Sequence, residues 1–239
     1  MAPAAAQERG RGRGRPARLS AEQITLATVE LLRHEPDAAV TVKRVADAVG
    51  AAPMALYRYF PDREALLQAA ADHVVATMAR ITLDDGPWQQ RLSAWMRAAH
   101  ERLLPYPQLL PYMVSTQQPA WLPALMRCSE LLAPLDLDKD DLALAAVLIG
   151  STMIGHAVYE SRRQSAEQTT AVLYRALEDR PAAEQDALRP LVAGLPAAYA
   201  RLHDTVLSRT IATVEGLAQA KAQVSRGRAA SPPPACASP

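Results

Sequence analysis

Cysteine is nearly absent from this chain, with two residues, Cys128 and Cys236, in 239. One falls in a helical pattern and the other in a Pro/Ser/Ala tail, so no disulfide framework is available, and a reducing cytoplasm is the setting this count suggests. An excess of charge of one sign is also lacking. The formal net charge is +1, with 26 Lys+Arg against 25 Asp+Glu, which excludes a polycation that binds acidic polymers over its whole surface. No apolar stretch follows the charged N-terminus, and the uncharged run Leu142–Tyr159 is short for a bilayer span and interrupted by Gly150, Gly155 and His156. Neither a secretory signal nor a membrane helix is therefore expected. No His-Glu-x-x-His, Gly-x-Ser-x-Gly, phosphate loop or Cys-x-x-Cys occurs, so no catalytic residue, metal site or cofactor is read from the chain. Asp136 to Asp141 begins like a calcium loop, but Asp141 stands at the glycine position and Val147 at the twelfth, where glutamate is needed. Asp138 as a helix N-cap, with Asp140 and Asp141 at the positive end of that helix, accounts for the cluster instead.

What the chain does have is helical periodicity and 49% apolar residues, enough for an all-α fold with a core of its own. From Thr41 to Phe60, Val42, Val45, Ala46 and Val49 recur at i, i+3, i+4 and i+7, with Thr41 where an N-cap belongs. Gly50 supplies a left-handed turn, Pro53 sits at a first helical position, and Leu56 and Phe60 are four apart, able to pack on Val45 and Val49. Lys43, Met54, Tyr57 and Arg58 are left facing outward. A helix, a glycine turn and a second short helix with unspent polar groups is the arrangement that places its second helix in a major groove, and it is also an ordinary helical hairpin.

The flanks decide between these. Leu19, Ser20, Gln23 and Ile24 are spaced as a hydrophobic staple around a capping box, so a helix runs from there to Pro36 with Ile24, Ala27, Thr28 and Leu31 inward. Pro61 closes the reading helix, Asp62 caps the next, and Leu67, Ala70, Ala71, Val74, Met78 and Ile81 carry a stripe to about Leu83. With these residues in register, roughly residues 19 to 80 resemble the DNA-binding domain of the tetracycline-repressor (TetR) family. The C-terminal part is similar to the tetracycline-repressor branch in its proline-punctuated layout. The resemblance implies a cytoplasmic, homodimeric transcription regulator, most simply a repressor that binds a palindromic operator on double-stranded DNA and is released by a small molecule. An activator, or a regulator without an effector, fits the same residues, and a helical enzyme or interaction protein is the reading outside that class. By resemblance Tyr57, Tyr59, Arg63 and Lys43 fall on DNA-touching positions. Thr41 and Arg58 join them, and Ala52, Pro53, Met54 and Ala55 form the start of the reader. Ala52 and Ala55 depart from the hydroxyl residues usual in the family, which leaves apolar contact, such as Pro53 and Met54 against a thymine methyl, a larger share.

Residues 1–81 hold 11 Lys+Arg against 9 Asp+Glu, much of the excess in Arg9-Gly-Arg-Gly-Arg-Gly-Arg15-Pro16. This arm cannot form a core. Arg13 and Arg15 are spaced as in a minor-groove AT-hook, and equally form a basic leader that adds affinity without sequence preference.

Beyond Gly86, helices are expected at 87–104, 107–115, 121–133, 139–163, 166–178 and 195–222, with 182–193 undecided. Wide, polarisable side chains concentrate there. Trp95, Met96, His100, Met113, Trp121, Met126, Met153, His156 and Tyr159 are the candidate lining of an effector pocket, although aromatics at helical spacing more often make core. His100 and His156 could face one cavity, but isolated helical histidines are more often structural. Leu148, Ile149, Tyr199, Leu202, Val206, Val214 and Leu217 are the candidate dimer face, from two-sided helices that would form a four-helix interface. The domains so read are a basic arm (1–18), a helix-turn-helix domain (19–81), a helical-bundle ligand-binding and dimerisation domain joined to it by the fourth helix (82–223), and a tail (224–239).

Overall fold

A computed structural model of the chain describes residues 19–114 and 119–230, and every regular element among them is helical. The arm with Arg13 and Arg15 lies outside the described residues. Helix α1 (Ala21–His34) opens with the expected capping box: the Ser20 Oγ accepts from Gln23 N at 3.1 Å and the Gln23 Oε1 accepts from Ser20 N at 3.1 Å. Its inward face is turned from the expected one. Thr25, Val29 and Leu32 are buried beside Ile24 and Thr28, while Ala27 and Leu31 are only half-buried, because α1 packs on both the second and the fourth helix. The buried Thr28 hydroxyl avoids the cost of a lost partner by donating to Ile24 O at 2.8 Å.

Helix α2 (Val42–Ala48) is capped by Thr41, whose Oγ1 accepts from Arg44 N at 3.3 Å. Gly50, at φ +64°, makes the left-handed turn that an L side chain would resist. Helix α3 (Pro53–Leu56) is a single turn that continues as non-helical turns to Tyr59, with Leu56 buried against α2. Helix α4 (Arg63–Met78) starts at Asp62, whose Oδ1 accepts from Ala65 N at 2.7 Å. It buries Leu66, Leu67, Ala70, Ala71, Val74, Val75 and Met78, wider than one stripe, since it has neighbours on both sides.

The remaining helices are α5 (Trp88–Leu103), α6 (Leu110–Met113), α7 (Leu122–Leu132), α8 (Lys139–Arg162), α9 (Ala166–Glu178) and α10 (Ala182–Ala230), with 3-10 turns at Pro119–Trp121 and Ala133–Leu135. Helix α4 meets α5, α6 and α7, and α5 meets α8 and α10, so one core runs from the N-terminal helices into the bundle. The segment left undecided at 182–193 is helical and continuous with the last helix, giving 49 residues that include Pro190 and Pro196. At 1.5 Å per residue it is about 73 Å long. It runs through residue 223, so the boundary drawn there from sequence falls within a helix.

Helix α8 is long and apolar enough, by length and composition, to cross a membrane. Here it packs on α5, α7 and α10 and starts with Asp138 accepting from Asp140 N (3.0 Å) and Asp141 N (2.9 Å), the cap expected in place of a calcium loop. These backbone amides hold the Asp138 carboxyl below its ordinary range.

Candidate functional site

Two sites assemble from these elements. The first is the outer face of α2 and α3. Lys43, Ala52, Pro53, Met54, Tyr57 and Arg58 are exposed there and Ala55 is half-buried; Met54 keeps 74% of its surface and Tyr57 45%. These are the groups left over once Val45, Ala46 and Leu56 have gone inward. Thr41 is exposed beside them, its hydroxyl engaged as the α2 cap. Two of the expected DNA-touching residues are held within the fold. The Tyr59 hydroxyl donates to Leu19 O at 2.5 Å, and Arg63 Nε donates to Val40 O at 2.7 Å. In this structure these side chains tie the reading segment to the lead-in of α1 and to the α1–α2 connection.

The second site is an apolar cavity of about 590 Å³ enclosed by α4, α5, α7 and α8. Met78, Trp95, Trp121, Cys128, Met153 and Ile154 form its walls, and Val114, Leu125 and Val147, all well exposed, stand at its mouth. Of the nine residues expected to line a pocket, Trp95, Trp121 and Met153 do so. Met96 and Met113 are in the packed core, and Met126 and Tyr159 face outward. The lining that sequence reasoning missed includes Ala146, Gly150, Ser151 and Gly155 on α8. Small residues on an otherwise bulky helix are the signal for it: a Cβ placed at Gly150 would meet nothing within 4 Å.

His100 and His156 do meet, but outside this cavity. Their rings lie 5.1 Å apart, and each is within 5.1 Å of the ring of His203, brought in by α10. His100 Nε2 is 2.7 Å from Glu160 Oε2. Burial holds the imidazoles of His156 and His203 below the ordinary histidine range, with the His100 ring as the next contributor.

The end of α4 joins the two sites. The turn after it closes its last carbonyls, Arg80 N donating to Thr77 O (3.1 Å) and Ile81 N to Met78 O (3.3 Å), and side chains of the bundle add donors to the same end. Trp95 Nε1 donates to Met78 O at 3.0 Å, Arg102 Nη1 to Thr77 O at 2.5 Å, and Arg127 Nη2 to Ile81 O just beyond, at 3.3 Å. Gln108 Nε2 donates to Pro36 O (2.7 Å) and Ala38 O (2.9 Å), a second strut from the bundle to the connection between α1 and α2.

The dimer-face candidates divide. Ile149 and Val214 are buried in the chain's own core, and Leu148 and Leu217 pack against it. An arginine at 214 would therefore test folding and not association. Tyr199, Leu202 and Val206 remain part-exposed on α10, and Leu144 (54%) and Val147 (66%) are exposed on α8.

Against known proteins, residues 24–70 match the family described as "Bacterial regulatory proteins, tetR family". The chain is 28% identical over 165 residues to the HTH-type transcriptional repressor DrrR1 of Streptomyces coeruleorubidus, a match spanning 67% of this chain and 60% of that relative's length. Its fold is shared with the Streptomyces coelicolor TetR family protein ActR in complex with actinorhodin (TM-score 0.68, 20% identity, 83% of this chain and 96% of that one). It is also shared with BioQ bound to its natural double-stranded DNA operator (TM-score 0.52, 23% identity, 75% and 99%).

The cavity carries its own probe. Burial pushes the Cys128 thiol up to about 11, so at pH 7 only about one molecule in ten thousand carries the reactive thiolate. We expect Cys128 to resist charged alkylating reagents in the folded protein, to react with small apolar maleimides that enter the cavity, and to be protected by any occupant; mass spectrometry of the labelled peptide reads all three. Rapid modification by a charged reagent would show that the cavity wall opens to water at Cys128.

Proposed function

We propose that this chain, whose residues 24–70 match the tetR family of bacterial regulatory proteins, is a homodimeric repressor. It holds a palindromic operator on double-stranded DNA through α2 and α3 and releases it when a small apolar molecule fills the α4–α5–α7–α8 cavity. The role is regulatory and not catalytic, exercised in the cytoplasm. Trp95 is the observation that carries the reading: its ring lines the cavity and its Nε1–H caps the end of α4 at Met78. The other end of α4 begins three residues after Phe60, where the reading segment closes. An occupant that turns the Trp95 ring therefore moves the α4 end and, through one rigid helix, the reading face, whose spacing in a dimer must match major grooves roughly 34–36 Å apart. The cavity volume lies within the roughly 300–1,000 Å³ of drug-sized sites. DrrR1 by name a repressor, ActR with its actinorhodin and BioQ with its operator support the same assignment.

Association rests on the outward stripe of α8, where Leu144, Val147, Ser151, Gly155 and Tyr159 are exposed, and on Leu195, Tyr199, Leu202 and Val206 of α10. Two copies of this pair of helices form a self-complementary face under two-fold symmetry, which a palindromic site requires. Tyr59 and Arg63 act here by positioning the reader. Contact falls to Lys43, Pro53, Met54, Tyr57 and Arg58, flanked by Thr41, Ala52 and Ala55. Arg13 and Arg15 extend it into the neighbouring groove or along the phosphates.

Tyr57→Ala and Lys43→Ala are expected to weaken operator binding by about 1–3 kcal/mol each without lowering thermal stability, as gel retardation on the upstream region of the gene and a melting curve would read. Wild-type affinity in both would remove α3 from the interface. Leu144→Arg is expected to produce monomers with an unaltered helical spectrum in sedimentation; a dimer persisting at micromolar concentration would move the interface elsewhere. Trp95→Phe keeps the ring and loses the cap, and Gly150→Phe fills the cavity. Both are expected to hold DNA when free of effector, the first with a coupling reduced from the typical 1–3 kcal/mol or so and the second with none. If a broad screen of apolar compounds releases no DNA from the wild type, only the DNA-binding half of the reading stands.

A further inference from the structure

His100 on α5, His156 and Glu160 on α8, and His203 on α10 are far apart in sequence, yet their donor atoms all lie within 4.8 Å of one another. Glu160 Oε2 is 2.7 Å from His100 Nε2 and 3.7 Å from His156 Nε2. A structural hydrogen bond would need one histidine and one carboxylate. Here two further imidazoles crowd the same carboxylate, with ring centroids 4.4 to 5.1 Å apart. Three of their nitrogens, His100 Nδ1, His156 Nε2 and His203 Nδ1, are buried without a hydrogen-bond partner among the described residues. Buried polar atoms are nearly always satisfied, and three orphans in one cluster mark a missing partner that accepts lone pairs. A lone-pair acceptor shared by three imidazoles and a carboxylate is a metal cation.

We propose that His100, His156, His203 and Glu160 bind one divalent transition-metal ion of the zinc class, a site separate from the cavity. Three nitrogens and one oxygen form a borderline donor set that suits Zn²⁺, Co²⁺, Ni²⁺ or Cu²⁺; calcium and magnesium require oxygen shells, and one carboxylate does not supply one. The geometry is close to complete. Donors on a tetrahedral ion at ~2.0–2.1 Å stand about 3.4 Å apart, so the cluster reaches that arrangement by side-chain adjustments of about an ångström. Arg163 Nη2, 3.8 Å from Glu160 Oε1, stands behind the carboxylate as an orienting partner. Bound there, the ion cross-links α5, α8 and α10. Two of its three helices, α5 and α8, also wall the cavity, but its ligands line none of it.

The test uses untagged full-length protein stripped with a chelator and then titrated with Zn²⁺ against a chromophoric competitor. One zinc per chain is expected, with a raised melting temperature by linkage and, with Co²⁺, the intense visible bands of four-coordinate cobalt. His203→Gln and His156→Gln are expected to lose at least a hundredfold in zinc affinity and to lose the cobalt bands, while melting as wild type does in chelator. Glu160→Gln, close to isosteric, should bind more weakly and with an altered cobalt spectrum, so the proposal stays testable even where a histidine variant does not fold. No stoichiometric zinc uptake by the wild type would overturn the site, and so would unchanged affinity and spectrum in all three variants. Operator binding by the stripped protein is read separately, so loss of the metal site and loss of the DNA-binding reading are distinguishable.

Discussion

The hydrogen bond from the indole of Trp95 to the carbonyl of Met78 organises much of this molecule. Met78, the last residue of α4, is buried, and its carbonyl accepts both from Ile81 N in the following turn (3.3 Å) and from the Trp95 indole (3.0 Å). Two arginines of the bundle, Arg102 and Arg127, add donors to the carbonyls of Thr77 and Ile81 around the same end. Because the donor is a Trp, the group that satisfies the carbonyl also supplies a wide apolar wall. The cavity wall and the support of the reading domain are in this way one side chain. Gln108 braces the other side, at Pro36 and Ala38, so the N-terminal helices are attached to the bundle at two places.

Local signals in the sequence were legible where the physics is local. The Ser20–Gln23 box, the Thr41, Asp62 and Asp138 caps, the Gly50 turn and the bounds of α9 all follow from neighbours within four residues, and the structure places them as read. The all-α fold and the TetR-type domain were legible for the same reason. The continuity of α10 was not, since Pro190 and Pro196 argue for breaks that packing against α9 overrides. The cavity was legible only in part. Met96 and Met113 have the same residue type and helical spacing as Met153, but which of them faces a void depends on what stands around it, and only Met153 shares its helix with Gly150 and Gly155, which also line the cavity. His203 and Glu160 carry no signal of their own at all. They become significant only when three helices converge, an event no spacing rule registers.

The two-sided character of α8 has a similar origin. One face packs on α5, α7 and α10; the outward face carries Leu144 and Val147 among small residues. Its apolar composition thus serves core, cavity and outer surface at once, and this is why length and hydropathy alone also fit a membrane span. Ile149 and Val214 illustrate the limit of reading faces from periodicity: their stripes are real, but they belong to the subunit's own core.

The mouth of the cavity has a kinetic consequence. Val114, Leu125 and Val147 are exposed at its rim, so in the single chain no described residue closes the entrance. Capture is then set by encounter, which varies little among small compounds of similar size. Differences in affinity reside in escape, as they do for related complexes generally. In a regulator of the proposed kind, how long a response outlasts its stimulus is accordingly governed by how well a compound fits between Trp95, Trp121 and Met153, and two compounds of equal abundance leave signals of very different duration.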